Sequence, residues 1–155
     1  MLDGPDENYW MNTAYQVPNN ARGHVAPGQA QFDKVPIGKL VVRSFIVTPD
    51  GSGKIPLGFP LTVRGIALGV DGVKAVEFSD DDGKTWSNAT LGENLGPYAF
   101  RTWEKRWAPK RAGAHVLAVR ATDGSGNRQT DEAVWNPGGY MWNRIERQDV
   151  MVGAV

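Results

Sequence analysis

Residues 73–86 read VKAVEFSDDDGKTW, and this stretch decides the fold class. Apolar and polar side chains alternate along residues 76–79, which places Val76 and Phe78 on one face. A period of two is typical of a β-strand with one buried face. The Asp82-Gly83 step that follows favours a tight turn, because glycine accepts a positive φ. A half-buried strand ending in such a turn predicts antiparallel β structure.

Similar strand and turn signals recur on both sides of this stretch. We predict further strands over residues 39–48, 61–66, 98–107, 117–121 and 145–152. Turn formers follow two of them, as Pro49-Asp50-Gly51 and as Gly124-Ser125-Gly126-Asn127. No segment has the length and periodicity of an amphipathic helix. About seven short strands, separated by turns every 8 to 15 residues or so, predict an all-β antiparallel sandwich.

Residues 1–38 differ from the rest of the chain. They are rich in turn formers, such as Val17-Pro18-Asn19-Asn20 and Ala26-Pro27-Gly28-Gln29, and show no sustained period. Aromatic residues are nevertheless embedded in this stretch, which indicates that it packs against something. We therefore predict an irregular N-terminal arm over residues 1–38 and a β domain over residues 39–155.

The composition excludes several classes of function. The chain has 17 basic and 17 acidic residues, and a net charge of zero argues against a nucleic-acid partner. No apolar run approaches the roughly 20 residues of a membrane span. There is no cysteine, and His24 and His115 are far apart, so neither a metal site nor a catalytic residue is predicted.

Residues 79–86 match the pattern Ser-x-Asp-x-Gly-x-Thr-Trp, which is similar to the Asp box of sialidase-type propellers. In a propeller the motif recurs blade by blade, whereas here it occurs once. A calcium loop is disfavoured because Lys84 stands where an oxygen ligand belongs. We predict a structural turn, built by Ser79, Asp81, Gly83, Thr85 and Trp86.

An aromatic strand lies between residues 98 and 107, with Tyr98, Phe100, Trp103 and Trp107. Exposed rings of this kind bind sugars by stacking, and buried rings supply large contact areas in cores and interfaces. The sequence is compatible with both interpretations. Exposed, coplanar rings would indicate a carbohydrate-binding module, and buried rings would favour an assembly function.

Several segments together resemble one known family. They occur in consistent order as Val63-Arg64-Gly65-Ile66-Ala67, Gly83-Lys84-Thr85-Trp86, Phe100-Arg101-Thr102-Trp103, Val119-Arg120-Ala121-Thr122-Asp123 and Trp135-Asn136-Pro137-Gly138-Gly139-Tyr140. Over about residues 40–152 the chain resembles the C-terminal, immunoglobulin-like dimerisation domain of the sulfite oxidase family of molybdenum enzymes. In the arm, residues 9–15 look like the segment that follows the molybdenum domain in bacterial sulfite dehydrogenases.

The resemblance implies that this chain is a non-catalytic dimerisation domain. The parent enzyme would oxidise sulfite or a related oxyanion at molybdopterin-bound molybdenum and pass electrons to a haem protein. The family binds its metal through a cysteine thiolate, so the cofactor would belong to a preceding catalytic domain, with residues 1–38 as the linker. A homodimer and a contact with the molybdenum-binding domain are implied, and a periplasmic location is compatible. The alternative is a carbohydrate-binding immunoglobulin-like module.

Site residues follow from the same resemblance. Animal members carry an arginine near the anion-binding pocket at the position of Gly138. Arg144 and Arg147 are therefore candidates for that role, because guanidinium groups suit oxyanions, and salt-bridging strand residues are the alternative. Aromatic density marks the candidates for the dimer interface, which are Trp103, Trp107, Trp135, Tyr140 and Trp142.

Overall fold

The computed structural model describes residues 7–154 and confirms the all-β fold class. Helical structure in this range is confined to one π-helical turn, Trp10–Ala14. The strands of the described part are β1 Gln16–Pro18, β2 Lys34–Pro36, β3 Arg43–Thr48, β4 Lys54–Pro56, β5 Leu61–Leu68, β6 Val73–Ser79, β7 Ser87–Asn88, β8 Thr90–Leu91, β9 Arg101–Trp107, β10 Gly113–Asp123 and β11 Glu146–Gly153.

The chain divides into two compact units. The arm unit contains the residues up to Val41 together with Glu132–Asn143, and the sandwich unit contains Val42–Asp131 together with the segment from Arg144 onward. The segment 132–143, which contains most of the aromatic closing stretch, therefore groups with the arm rather than with the strands that precede and follow it.

The sandwich unit consists of a five-stranded sheet and a four-stranded sheet. The strand orders are β4-β11-β10-β6-β7 and β3-β5-β9-β8. Neighbouring strands are antiparallel, with the exception of β4, which pairs in parallel with β11 through Lys54–Met151, Ile55–Val152 and Pro56–Gly153. The sandwich is thus mixed at one edge, a feature that the sequence patterns did not predict.

The core of the sandwich unit is formed by the alternate residues of its long strands. On β10, Leu117, Val119 and Ala121 are fully buried, and on β6, Val76 and Phe78 face the same core. The alternation seen in the sequence is therefore the alternation of buried and outward-facing positions. Burial of apolar surface between two sheets is the main stabilising term for such a fold.

One glycine in this core makes room for a large side chain. A Cβ at Gly65 on β5 would collide with the indole ring of Trp103 and with the carbonyl oxygen of Phe45. Gly65 and Trp103 are cross-strand partners, so the missing side chain lets the indole lie directly on the strand. The Trp103 Nε1–H donates a hydrogen bond to the Ile66 carbonyl oxygen at 3.3 Å, which satisfies its polar atom.

A buried amide joins both sheets. Gln129 Oε1 accepts hydrogen bonds from Ser44 Oγ at 2.5 Å and from the Ala121 N–H at 2.9 Å. Its Nε2 donates to the Arg144 carbonyl oxygen at 2.8 Å. One side chain therefore connects β3, β10 and the segment that enters β11, and buried polar groups need such partners.

The arm unit contains regular structure that was not predicted. β1 and β2 pair antiparallel, with Val17 opposite Val35. The backbone of Tyr15 closes the π-helical turn, since its N–H donates to the Trp10 carbonyl oxygen at 2.7 Å. Each of these strands has three residues, which is too short for a period to be visible in the sequence.

Candidate functional site

The turn after β6 is closed by the side chains of the Asp box. Asp81 accepts three hydrogen bonds, from Ser79 Oγ at 2.7 Å, from the Thr85 N–H at 2.9 Å and from Thr85 Oγ1 at 2.7 Å. Ser79 Oγ in turn accepts the N–H of Gly83 at 2.9 Å, and Gly83 has a φ of 81°. The motif is a self-contained hydrogen-bonded hairpin, which is the geometry that the structural interpretation requires.

These hydrogen bonds stabilise the ionised form of the carboxylate. The Thr85 hydroxyl, the Ser79 hydroxyl and the Thr85 backbone N–H lower the pKa of Asp81 from its ordinary value of 3.8 to about 2. Because the pKa is lower in the folded state than in the unfolded chain, the hydrogen bonds stabilise the fold fully above about pH 4. This contribution is lost as the pH falls towards about 2.

We expect Asp81→Asn to flatten the acid dependence of stability. The variant removes the proton that the unfolded chain takes up between about pH 4 and pH 2, so its free energy of unfolding should fall less steeply in that window. Urea unfolding at several acidic pH values measures the slope. Asp149→Asn, the same change at an exposed carboxylate of β11, is the matched control, and Asp81→Asn should have the shallower slope of the two variants. Equal slopes for wild type and Asp81→Asn would contradict this account.

The solvent-facing side of the five-stranded sheet contains a short ion pair between neighbouring strands. Glu77 on β6 receives two hydrogen bonds from Arg120 on β10, at 2.8 and 2.9 Å, and the pKa of Glu77 is lowered chiefly by that contact. The Arg120 guanidinium also lies 4.1 Å from the centroid of the Trp86 ring. The last residue of the Asp box therefore packs against an ion pair of the neighbouring strand.

The two arginines proposed for an anion pocket have different surroundings. Arg147 donates from Nε to Asp82 Oδ1 and from Nη2 to Asp131 Oδ1, each at 2.7 Å, and these carboxylates raise its pKa. Two carboxylates thus occupy Nε and Nη2, whereas the buried Nη1 has no hydrogen-bond partner among the described residues. Arg144 is exposed, and its carbonyl oxygen is the group that Gln129 binds. A role in anion binding stays a prediction for both.

The rings of the aromatic strand divide between core and solvent. Trp103 and Trp107 are 2% and 7% exposed, whereas Tyr98 is 97% exposed. Trp107 donates from Nε1 to Asp80 Oδ2 at 2.8 Å and contacts the rings of Phe78 and His115. The chain itself buries both indoles, so they cannot form the exposed platform that a carbohydrate-binding module needs. The two buried indoles also offer little surface to a dimer partner.

The closing segment is fixed by a buried asparagine in the arm unit. Asn136 Nδ2 donates to the carbonyl oxygens of Gly23 at 3.1 Å and Tyr140 at 2.8 Å, and its Oδ1 accepts the Tyr140 N–H at 3.1 Å. The Trp135 N–H donates to His24 Nδ1 at 2.9 Å, and the Val25 N–H donates to the Trp135 carbonyl oxygen. His24 is therefore a structural acceptor here. No signal in the sequence pointed to this hydrogen bond, since His24 and Trp135 are 111 positions apart.

Four rings of the arm unit follow one another at contact distance. Tyr9 and Trp10 have centroids 5.3 Å apart, Trp10 stacks on Tyr15 at 5.6 Å, and Tyr15 meets Tyr140 edge-on at 5.8 Å. We call this set the ring series. Tyr9, Trp10 and Tyr15 are exposed, and so are two of the predicted interface residues, Trp135 and Trp142. Part of the predicted aromatic surface is thus accessible in the arm unit.

Gly138 stands at the position where animal members of the resembled family carry an arginine. A Cβ at this position would lie 2.6 Å from Tyr140 Cε2, so a larger residue would require the Tyr140 ring to move. Residue 138 therefore offers no side chain to an anion. Within residues 7–154 no group of three or more His, Asp or Glu side chains could hold a metal ion. No helix in this range is long and apolar enough to cross a membrane.

The fold and the side chains define a two-sheet β-sandwich with an aromatic arm unit. Residues 34–152 match the family described as the Mo-co oxidoreductase dimerisation domain. The chain belongs to this family, within the sulfite oxidase group of molybdenum enzymes. The resemblance proposed from the sequence is confirmed, and the carbohydrate-binding alternative has no support from the comparisons.

The curated relatives include plant nitrate reductases. The chain is 32% identical over 130 residues to nitrate reductase (NADH) of Solanum lycopersicum, with 71% of the chain and 14% of the relative covered. It is 29% identical over 160 residues to inducible nitrate reductase (NADH) 2 of Glycine max, with 90% and 18% covered. The chain therefore spans less than a fifth of the length of these relatives.

The fold is shared with a solved structure. The sulfane dehydrogenase SoxCD from Paracoccus pantotrophus superposes with a TM-score of 0.71 at 20% identity, over 96% of this chain and 39% of that one. At this identity the likeness shows the fold alone. It includes the arm, since nearly the whole chain is covered.

Proposed function

We propose that this chain joins two subunits of a molybdenum oxidoreductase into a homodimer. The observation that carries the proposal is the family match over residues 34–152, which includes both sheets of the sandwich unit. Within the described residues the polar side chains form turns, ion pairs and core hydrogen bonds, and none forms a metal cluster. Such a domain contributes contact surface rather than chemistry.

Residues 1–38 form, in this proposal, the connection from the molybdenum-binding domain, and the sandwich domain starts at residue 39. The exposed rings Tyr9, Trp10 and Tyr15 support it, because contiguous aromatic surface usually packs against a partner. Trp135 and Trp142 supply further exposed aromatic area in the same unit. We propose that the ring series contacts the domain that carries the molybdopterin-bound molybdenum.

The parent reaction belongs to the same proposal. We propose two classes. The resemblance of the sequence implies oxidation of sulfite or a related oxyanion, with a haem protein as electron acceptor, and the plant relatives are nitrate reductases. In this proposal, the resemblance of residues 9–15 favours a sulfite dehydrogenase type. Of the two arginine candidates, Arg144 is the one whose exposure leaves it available to an anion, since Arg147 is bound to Asp82 and Asp131.

Sedimentation of the 155-residue chain tests the homodimer. We expect a species of twice 16.9 kDa that dissociates on dilution, because an association equilibrium depends on protein concentration. A single species of 16.9 kDa at every concentration up to about 100 µM would contradict the proposal.

A further inference from the structure

A shallow groove crosses the solvent-facing side of the four-stranded sheet. It has a volume of about 470 Å³ and is lined mainly by apolar atoms. Val47, Ile66 and Leu91 are among its apolar lining residues, and Leu91 also packs against the core of the sandwich unit. Val47 lies at a bulge of the edge strand β3, and its side chain is 57% exposed.

A charged pair borders this groove. Arg64 on β5 and Glu104 on β9 are direct cross-strand partners, with 3.8 Å between Arg64 Nε and Glu104 Oε2. Their side chains are 63% and 57% exposed. An exposed pair at this distance contributes little to the stability of a single chain. Both groups therefore remain available to a second molecule.

This arrangement is self-complementary. A twofold axis places the same patch opposite itself, so each residue meets its counterpart in reverse order. A patch with one cation beside one anion can then form two pairs across the axis, Arg64 of each copy with Glu104 of the other. The apolar lining would fill the centre, with the charges at the rim, which is the usual anatomy of a protein interface.

In the described part of the chain, the solvent-facing side of the five-stranded sheet does not offer a charged pair that is available in this way. Glu77 and Arg120 are bound to each other at 2.8 and 2.9 Å, and Arg147 is bound to Asp82 and Asp131 at 2.7 Å. A partner would have to break these short contacts to use the charges. The four-stranded sheet is therefore the better surface for association.

We infer that two copies of this chain associate face to face through the four-stranded sheet, with Arg64 of each copy paired with Glu104 of the other across the groove at Val47, Ile66 and Leu91. The inference rests on the proposed homodimer and specifies its surface. The patch lies within residues 34–152, the range that matches the dimerisation family. It shares no residue with the aromatic candidates of the arm unit, Trp135, Tyr140 and Trp142.

Charge reversal and mixing test the pairing. Arg64→Glu gives a patch with two anions, and Glu104→Arg gives one with two cations, so each variant repels its own copy. We expect each to dimerise at least about 100-fold more weakly than wild type, because like charges placed opposite each other suppress association strongly. An equimolar mixture of the two variants should recover a heterodimer, which native mass spectrometry detects by its mass.

Asp149→Arg is the matched control on the five-stranded sheet. It makes the same carboxylate-to-arginine change at an exposed strand position and should leave dimerisation at the wild-type level. The mixing result also excludes misfolding, since two misfolded variants would not form a specific heterodimer. A wild-type dimer that survives both single reversals, or one that Asp149→Arg dissociates instead, overturns this inference alone. A wild-type chain that is monomeric overturns the proposed function and this inference with it.

Discussion

Replacing Trp103 with alanine is expected to lower the free energy of unfolding by about 3–5 kcal/mol, the range for large aromatic residues removed from a core. The indole is 2% exposed and lies on the face of β5 where Gly65 leaves room for it. Alanine would leave a cavity that the backbone cannot close, since the strands on either side are fixed by the sheet. The Ile66 carbonyl oxygen would also lose its indole donor.

Urea unfolding followed by circular dichroism measures this effect at a fixed protein concentration, because unfolding is linked to any dimerisation. Trp142→Ala, the same change at an exposed ring, is the matched control and should cost about 1 kcal/mol or less. A Trp103→Ala variant as stable as Trp142→Ala would show that the indole does not pack as described.

Gln129→Leu is expected to cost about 3–5 kcal/mol, although leucine is more apolar and of similar volume. Three groups lose their partner: the buried Ser44 hydroxyl, the buried Ala121 N–H and the partly buried Arg144 carbonyl oxygen. Each buried polar group without a hydrogen bond costs about 1–3 kcal/mol. Hydrophobicity alone would predict that the substitution raises the free energy of unfolding. The lost hydrogen bonds predict that it lowers it.

Gln31→Leu, at an exposed position of the arm, is the matched control and should change the free energy of unfolding by about 0.5 kcal/mol or less. A double-mutant cycle with Ser44→Ala sharpens the test, since the hydroxyl cannot be left unpaired in a variant that lacks it. The double variant should be less destabilised than the sum of the two single variants. Strict additivity would mean that Ser44 and Gln129 do not interact.

Long strands were the part of the fold that sequence patterns predicted well. The apolar pattern through Val76 and Phe78 predicted the bounds of β6, Val73–Ser79, and the pattern at Leu117, Val119 and Ala121 predicted the buried face of β10. In both cases one face is covered by the other sheet, so burial imposes a period of two on the sequence. The confirmed sandwich rests on these positions.

Very short strands and contacts between residues far apart in the sequence could not be predicted. β7 and β8 have two residues each, and β4 has three, which is less than the alternation needs to become visible. The hydrogen bonds of Gln129 join residues as far apart as Ser44, and no local pattern reports them. The aromatic strand shows the same limit: spacing puts Trp103 and Trp107 on one face, but only the fold shows that this face is covered by the chain itself.

The division of the chain into two units limits how this domain can be moved between genes. The backbone passes from one unit to the other after Val41, after Asp131 and after Asn143, so no single cut separates them. A cassette that begins at residue 39 would keep Asn136 but discard Gly23, His24 and Val25, which bind Asn136 and Trp135. We therefore expect that the smallest segment that folds after gene fusion contains the sandwich unit and the arm unit together.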